Sequence, residues 1–186
     1  MKKWAISIFA LLMMMGTLTA QDKNVDVEKS SLVWKGYKFT GSHTGTLGLK
    51  EGTLVFKNDK LSGGEFVVDM TTLTNTDLQG GMKGKLEGHL KSDDFFSVKN
   101  NPTSKLVFTV SEAKGKNAYK ATGKLTIKGI TKPISFDISV YGSKASVSLK
   151  VDRTDYDIKY KSGTFIENLG DKVIYDDFDL VADLVF

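Results

Sequence analysis

The segment that decides the fold is AYKATGKLTIKGITKPISFDISV, residues 118–140. Apolar side chains alternate with polar ones on both sides of a break over residues 129–133, which contains a glycine and a proline. The apolar positions are Tyr119, Ala121, Leu125 and Ile127 before the break, and Ile134, Phe136, Ile138 and Val140 after it. A period of two is typical of strands with one buried face, and glycine with proline is typical of a turn. The segment therefore predicts two antiparallel strands joined by a turn over 129–133.

The same alternation recurs along the chain from Ser31 onward. The further sets are Leu32 and Trp34; Leu47 and Leu49; Leu54 and Phe56; Phe66, Val68 and Met70; Leu106, Phe108 and Val110; Val147, Leu149 and Val151; and Phe178, Leu180, Ala182, Leu184 and Phe186. The residues between them are mostly Lys, Thr, Ser and Asp, which indicates that the other face is in water. About eight or nine such strands predict an all-β antiparallel protein, either a two-sheet sandwich or a closed barrel.

Residues 78–96 depart from the strand pattern. Met82, Leu86 and Leu90 recur every four residues, which predicts a short amphipathic helix. Glycines at 80, 81, 84 and 88 make this a weak helix former. We expect the segment to be either a lid over one end of a barrel or a plug packed on the core.

The composition excludes several classes of site. The chain has 186 residues, no Cys and two His, so disulfides, thiolate zinc sites, thiol nucleophiles and histidine-rich metal cages are excluded. The sequence contains neither the G-x-S-x-G motif of serine hydrolases nor a G-x-x-x-x-G-K-[ST] phosphate-binding loop. We therefore predict a single domain over residues 21–186 that is not an enzyme and holds no metal or cofactor.

Residues 1–20 have the pattern of a secretory signal peptide. Lys2 and Lys3 precede an apolar run from Trp4 to Met15, and Thr17-Leu18-Thr19-Ala20 is a plausible cleavage site before Gln21. The apolar run is shorter than the ~20 residues that a membrane-spanning helix needs. The sequence thus predicts export to the periplasm or to the medium.

The charge of the exported chain is nearly balanced. Without Lys2 and Lys3, 24 basic residues face 22 acidic ones, and the lysines are scattered among the acids. No basic stripe of the kind that follows a nucleic-acid backbone is present in the sequence. Nucleic acid is therefore not a predicted partner.

Three motifs in a fixed order resemble a known family. They are WKGYKFTGSHTG at 34–45, GHLKSDDFF at 88–96 and GKLTIKGITKPI at 123–134, with Asn101-Pro102-Thr103 between the last two. This pattern resembles the YceI-like family of lipid- and polyisoprenoid-binding proteins. The resemblance implies an exported, eight-stranded, lipocalin-like barrel that holds an isoprenoid chain along its axis. The stretches 152–157 and 168–172 differ from the best-known members, so the resemblance does not extend to the ligand's head group.

In such a barrel, the inward apolar side chains are the candidate ligand contacts. They are Trp34, Leu47, Leu54, Phe56, Phe66, Val68, Met70, Leu86, Leu90, Phe108, Ile127, Phe136 and Leu149. Burial of an apolar chain against them is worth about 0.8 kcal/mol per CH₂ group. The same alternation also serves a solid core, so both roles stay open for each residue.

The two histidines are the candidate polar contacts. His43 and His89 both lie inside the matched motifs and are predicted to contact a ligand head group. The alternative for each is a structural role, such as capping a turn or satisfying a buried carbonyl group.

Together these patterns predict an exported protein that sequesters or carries a long-chain isoprenoid of the polyprenyl phosphate or quinone type. Such a partner allows transient contact with a membrane, and the sequence leaves the oligomeric state open. One alternative is a solid-core barrel that serves as an interaction or stress-response module of the cell envelope. Another is a hydrolase or isomerase of the bound lipid with His43 or His89 as its base.

Overall fold

The computed structural model describes residues 20–186, so the predicted signal peptide lies outside the described residues except for Ala20. Strands β1 to β4 are Ala20–Asn24, Ser31–Lys38, Gly41–Lys57 and Lys60–Asn75. Helix α1, Gly80–Lys91, follows, and then strands β5 to β9: Thr103–Ala113, Ala118–Ile127, Ile130–Tyr141, Lys144–Asp152 and Ile174–Val185. Two 3-10 turns, Arg153–Tyr156 and Gly170–Lys172, lie between β8 and β9.

Strands β2 to β9 close into an antiparallel barrel. Going round it, the order is β2, β9, β8, β7, β6, β5, β4 and β3, and β3 pairs with both β4 and β2. Strand β3 is long enough to have a second partner, because residues 41–47 pair with β2 and residues 53–57 pair with β1. The predicted all-β, eight-stranded antiparallel barrel is confirmed, with β1 as one extra strand.

The turn predicted over residues 129–133 is shorter than expected. Lys128 and Gly129 have φ angles of 51° and 74°, and β7 already begins at Ile130. Two central residues with positive φ are typical of the type I′ turn, whose twist matches that of the flanking strands. Pro133 therefore lies within β7, opposite Lys124 of β6.

The predicted helix within residues 78–96 is confirmed over Gly80–Lys91, and residues 92–96 form turns instead. None of its residues is buried, and Met82 is 65% exposed. No helix within residues 20–186 is both long and apolar enough to cross a membrane.

Helix α1 lies at one end of the barrel. The antiparallel order places the β2–β3 and β6–β7 turns and the β8–β9 connection at this same end. The β3–β4, β5–β6 and β7–β8 turns lie at the opposite end. We call the half next to α1 the upper half and the other the lower half.

The lower half is filled by its own side chains. Phe108 lies opposite Gly64 on β4 and opposite Gly123 on β6. A Cβ atom at Gly64 would come within 2.8 Å of the Phe108 ring, so the ring occupies the space that the glycines leave. The same ring packs on Phe66 and Phe136, with centroid distances of 5.8 and 5.3 Å. This alternation of large and small residues closes the lower half.

Candidate functional site

The barrel encloses a cavity of about 190 Å³, which lies next to α1 in the upper half and reaches down to Val147 and Leu184 near the lower ends of β8 and β9. For scale, an apolar cavity of about 150 Å³ is large enough to hold benzene. Its inner wall consists of apolar side chains from β2, β3, β4, β5, β6, β8 and β9, with α1 above them. This volume admits a short segment of hydrocarbon, and a longer chain would have to extend through an opening or displace α1.

Trp34 forms one side of the cavity because β3 presents a glycine beside it. Gly45 is its register partner, and a Cβ atom there would lie 2.5 Å from the indole ring. The indole Nε1–H donates to the carbonyl oxygen of Thr74 at 3.2 Å, across the neighbouring strand. The ring is thus fixed by packing and by a hydrogen bond, and Trp34 is only 8% exposed.

Helix α1 covers the cavity through Leu86 and Leu90, which both line it. Its position is set by Glu87, whose carboxylate accepts from Thr74 Oγ1 at 2.6 Å and from the Asn75 amide at 2.8 Å. The hydrogen bond from Thr74 is the largest cause of a lowered pKa at Glu87. Lys91 adds a bond to the carbonyl oxygen of Thr71 at 2.9 Å. The helix is therefore tied to β4 by polar contacts, while few of its apolar groups are buried.

A second contact joins α1 to the β8–β9 connection. The His89 ring packs edge-on against Tyr160 and Phe95, with centroid distances of 4.5 and 5.0 Å. Its Nε2 lies 3.2 Å from a carboxylate oxygen of Asp94. His89 does not line the cavity, so the structure places it in an aromatic contact beside the lid.

The polar part of the cavity lining lies near the β2–β3 turn and the start of β9. We call it the mouth and define it by Gly36, Lys38, His43, Arg153, Tyr175 and Asp177, which all line the cavity. At the mouth the pairing of β2 with β9 is irregular, because Gly36 pairs with Phe178 but Lys38 pairs with Ile174. A Cβ atom at Gly36 would have no neighbour within 4 Å. Gly36 therefore leaves open space at the mouth.

His43 lies opposite Gly36 on the inward face of β3. Its Nδ1 is 2.8 Å from a carboxylate oxygen of Asp77, and the other carboxylate oxygen accepts from the Thr44 amide at 3.0 Å. Asn75, which is fully buried, also donates to Asp77 and to the Thr44 carbonyl oxygen. Partial burial opposes ionisation of Asp77, but the bonds from Thr44, His43 and Asn75 outweigh it and lower the pKa of Asp77 to about 2.

Arg153 stands on the other side of the mouth and is 4% exposed. Its guanidinium donates to the carbonyl oxygens of Ile158, Ile174 and Tyr175 at 2.6 to 3.0 Å, and to Asp176 at 3.2 Å. Burial lowers the pKa of Arg153, while Asp176 and Asp152 oppose that change. An arginine stays charged in such a setting. These bonds hold the β8–β9 connection against the start of β9.

The structure divides the predicted apolar contacts into two groups. The residues that line the cavity are Trp34, Leu47, Phe66, Val68, Met70, Leu86, Leu90, Ile127 and Leu149, and His43 joins them at the mouth. The residues in the filled lower half are Leu54, Phe56, Phe108 and Phe136. They point inward as the alternation predicts, but their neighbours already occupy the space beside them. The role of the lining residues as ligand contacts remains a prediction.

Several lining residues were missing from the predicted site. They are Leu32, Leu49, Leu73, Phe95, Phe96, Leu106, Leu125, Val147, Phe178, Leu180, Ala182 and Leu184. Those on β2, β3, β5, β6, β8 and β9 share the period of two, so the alternation along these strands would have found them. Leu73 on β4 is out of phase with Phe66, Val68 and Met70, so the alternation does not predict it. Phe95 and Phe96 follow α1 in a turn, where no periodic signal exists.

A metal centre finds no support in the part of the chain that the structure describes. Within residues 20–186, no three His, Asp or Glu side chains are grouped closely enough to hold a metal ion. Every buried side-chain nitrogen or oxygen in that range has a hydrogen-bond partner. The arrangement is thus an apolar container with a polar mouth.

Comparisons with known proteins agree with this architecture. A UPF0312 protein of Pseudomonas putida (strain W619) is 27% identical over 144 residues, which cover 74% of this chain and 71% of that protein. The structure of Burkholderia cenocepacia BcnA superposes with a TM-score of 0.64 at 20% identity, covering 87% of this chain and 99% of that one. A polyisoprenoid-binding domain from Saccharophagus degradans has a TM-score of 0.57 at 15% identity, covering 90% and 97%. At such identities the two structures show a shared fold.

The family assignment rests on the sequence as well as the fold. The YceI-like domain matches residues 24–186, which include all the barrel strands and α1. The resemblance noted from the three motifs is thereby confirmed, and the chain belongs to the YceI-like family.

Proposed function

We propose that this protein binds a long apolar lipid of the isoprenoid class in the upper half of its barrel and carries or sequesters it outside the cytoplasm. The observation that carries the proposal is the cavity of about 190 Å³ beside a filled lower half. Burial of the ligand's hydrocarbon, at about 0.8 kcal/mol per CH₂ group, would supply the affinity. The polyisoprenoid-binding domain among the structures of similar fold supports the same ligand class.

The cavity favours this function over the solid-core alternative. An interaction module without a ligand needs no internal space, and the lower half shows that this sequence fills its interior where large side chains face glycines. In the upper half, α1 spans the barrel end without burying any of its residues completely. An unfilled apolar space forfeits packing energy, so its presence favours a ligand that restores the lost contacts.

The geometry supports binding rather than catalysis as the main activity. His89 packs against two aromatic rings and does not itself line the cavity, so it is badly placed as a base for a bound lipid. His43 lies at the mouth, where its Nδ1 is 2.8 Å from a carboxylate oxygen of Asp77. Under this proposal residues 1–20 direct export and are removed, so that the carrier works in the periplasm or the medium.

The direct test is organic extraction and mass spectrometry of the protein isolated undenatured from its natural compartment. We expect a stoichiometric isoprenoid lipid, and an intact mass that corresponds to a chain beginning near Gln21. A chain that lacks lipid, and that stays empty after incubation with quinones and polyprenyl lipids, would contradict the binding proposal. Recovery of the uncleaved chain would contradict only the proposed export.

A pair of substitutions at Gly36 locates the bound lipid. Gly36→Phe places a ring in the open space at the mouth, so we expect lipid content to fall at least fivefold. Gly36→Ala adds one methyl group there and is the matched control, with lipid content close to that of the wild type. Equal lipid content in Gly36→Phe and Gly36→Ala would place the ligand somewhere other than this cavity.

A further inference from the structure

Large apolar side chains stay exposed beside the mouth. Phe39 lies in the β2–β3 turn and is 66% exposed, and Phe165 lies in the β8–β9 connection and is 52% exposed. Ile166 and Tyr175 are also exposed, and Tyr175 lines the cavity as well. We call Phe39, Phe165, Ile166 and Tyr175 the apolar rim. Exposed apolar side chains that cluster in this way mark an interaction site.

The β2–β3 turn and the β8–β9 connection both meet the chain at the start of β9. The Phe39 amide donates to the carbonyl oxygen of Val173 at 3.0 Å. Ser162, three residues before Phe165, pairs with Ile174. The apolar rim is therefore one region assembled from three segments, and its side chains are not scattered singly over the barrel.

The loop that carries Phe165 and Ile166 is ordered, so its apolar side chains are held in the solvent. The amides of both residues donate to the carbonyl oxygen of Ser162, at 3.3 and 2.9 Å, and Ser162 is fully buried. Thr164 Oγ1 donates to a carboxylate oxygen of Asp176 at 2.7 Å. These bonds fix the loop without burying the two apolar side chains, so a partner that covers them gains their transfer from water.

The charges at this end of the barrel are balanced. Residues 38–43, 77–101, 128–129 and 152–177 make up this end, and they contain ten Lys or Arg and eleven Asp or Glu. A strongly charged partner of either sign would therefore gain little from long-range attraction. The apolar side chains, and not the net charge, distinguish this surface.

Lysines accompany the aromatic side chains of the apolar rim. Lys159 Nζ lies 5.0 Å from the centre of the Phe165 ring, and Lys38 directly precedes Phe39. This combination is typical of a membrane–water interface, where the ring enters the apolar layer and the ammonium group stays in water. A long isoprenoid lipid dissolves in a bilayer rather than in water, so a bilayer is also where such a ligand is collected or delivered.

We propose that the apolar rim inserts into the surface of a phospholipid bilayer and thereby brings the mouth and α1 against the membrane. The choice of a bilayer rests on the proposed function, because a carrier of an apolar lipid has to exchange it with a membrane. Apolar burial drives the contact, which therefore needs no anionic lipid. Met82, exposed on the first turn of α1, lies at the same end of the barrel.

Flotation of the purified exported chain with phosphatidylcholine vesicles tests the proposal. The double variant Phe39→Ser and Phe165→Ser should lower the partition coefficient at least about tenfold, because two rings no longer enter the bilayer. The matched control is Tyr141→Ser with Val107→Ser, which removes two exposed apolar side chains away from this end and should stay within about twofold of the wild type. Equal vesicle binding by the two double variants would overturn the proposal. Urea unfolding checks that both are folded.

The dependence on charge separates apolar insertion from other kinds of binding. The partition coefficient of the wild type should change less than about twofold between low salt and about 0.5 M NaCl, or when about one third of the lipid is phosphatidylglycerol. Binding that requires phosphatidylglycerol and is lost in salt would contradict insertion of the apolar rim. A wild type that binds neither kind of vesicle would overturn the proposal and leave this surface to a protein partner.

Membrane docking and lipid binding can fail separately. If lipid is extracted from the protein, but the double variant of Phe39 and Phe165 binds vesicles as the wild type does, lipid binding stands and the apolar rim is not the docking surface. If vesicle binding depends on the apolar rim, but the protein contains and takes up no lipid, docking stands and the proposed carrier function is wrong.

Discussion

Leu54 and Leu47 lie on the same strand and face the same interior, yet they meet different surroundings. Leu54 is fully buried in the filled lower half, whereas Leu47 is only partly buried and lines the cavity. The two positions have the same residue type and the same alternation in the sequence. The comparison shows that the inward face of a barrel strand becomes either core or container according to what lies opposite it.

The surroundings of Leu54 and Leu47 differ because different residues lie across the barrel interior from them. In the lower half, Phe108 lies between Gly64 and Gly123, and its ring fills the space that these glycines leave. In the upper half, the end of the barrel is covered by α1, whose attachment through Glu87 and Lys91 is polar. A helix rich in glycine carries too few large side chains to fill the space beneath it.

The largest expected effect tests the comparison directly. Leu54→Ala should lower the free energy of unfolding by about 2–5 kcal/mol, because it opens a cavity in a filled region. Leu47→Ala is the matched substitution, and it should cost about 1 kcal/mol, since Leu47 already borders an empty space and makes fewer contacts. Urea unfolding of the lipid-free variants measures both values. Equal losses would mean that the two halves are packed alike.

A smaller effect is expected from the glycines that flank the cavity. A Cβ atom at Gly45 would lie 1.9 Å from the Thr74 carbonyl oxygen and 2.5 Å from the Trp34 ring. Gly45→Ala should therefore lower the free energy of unfolding by about 1–3 kcal/mol, because backbone and indole have to move. Gly36→Ala, which meets open space, should change it by less than about 0.5 kcal/mol. Thermal and urea unfolding of both variants checks the difference, and a tolerated Gly45→Ala would show that the Trp34 wall is loose.

The smallest expected effect is a loss of folding stability at acid pH, which comes from Asp77 beside the mouth. The pKa of Asp77 is lowered from 3.8 to about 2 in the folded protein. Its ionised form therefore stabilises the fold fully above pH 3.8, and this contribution is lost as the pH falls through 2. With 31% of the side chain exposed, we expect about 1 kcal/mol.

The measurement is the free energy of unfolding between about pH 5 and pH 2, compared for the wild type and Asp77→Asn. The variant should lack part of the acid-induced loss of stability, because asparagine does not titrate. Superimposable pH profiles would show that Asp77 is not held by Thr44, His43 and Asn75 as described.

The strands were predictable because the period of two survives in almost every segment from Ser31 onward. The turn over 129–133 was predicted too long, since Pro133 suggested a break, while the positive φ angles fall at Lys128 and Gly129. The sorting of Leu54, Phe56, Phe108 and Phe136 into a filled core was not predictable. It depends on register, which places glycines of other strands opposite Phe108, and local periodicity carries no information about cross-strand partners.

The polar mouth was only partly predictable for a similar reason. His43 stood out as one of two histidines, but its partner Asp77 is 34 residues away and reaches it through the β3–β4 pairing. His89 carried the same sequence signal and lies instead in an aromatic contact with Phe95 and Tyr160. Residue type and motif membership therefore could not distinguish a cavity position from a packing position.

The central claim is that the hollow upper half, and not the filled lower half, holds an apolar chain. The most direct measurement is a crystal structure of the protein with its extracted lipid bound. We predict continuous density for a hydrocarbon chain between Trp34, Val68 and Leu90. Density for the lipid outside the barrel, with the upper half filled by the protein's own side chains, would contradict the account.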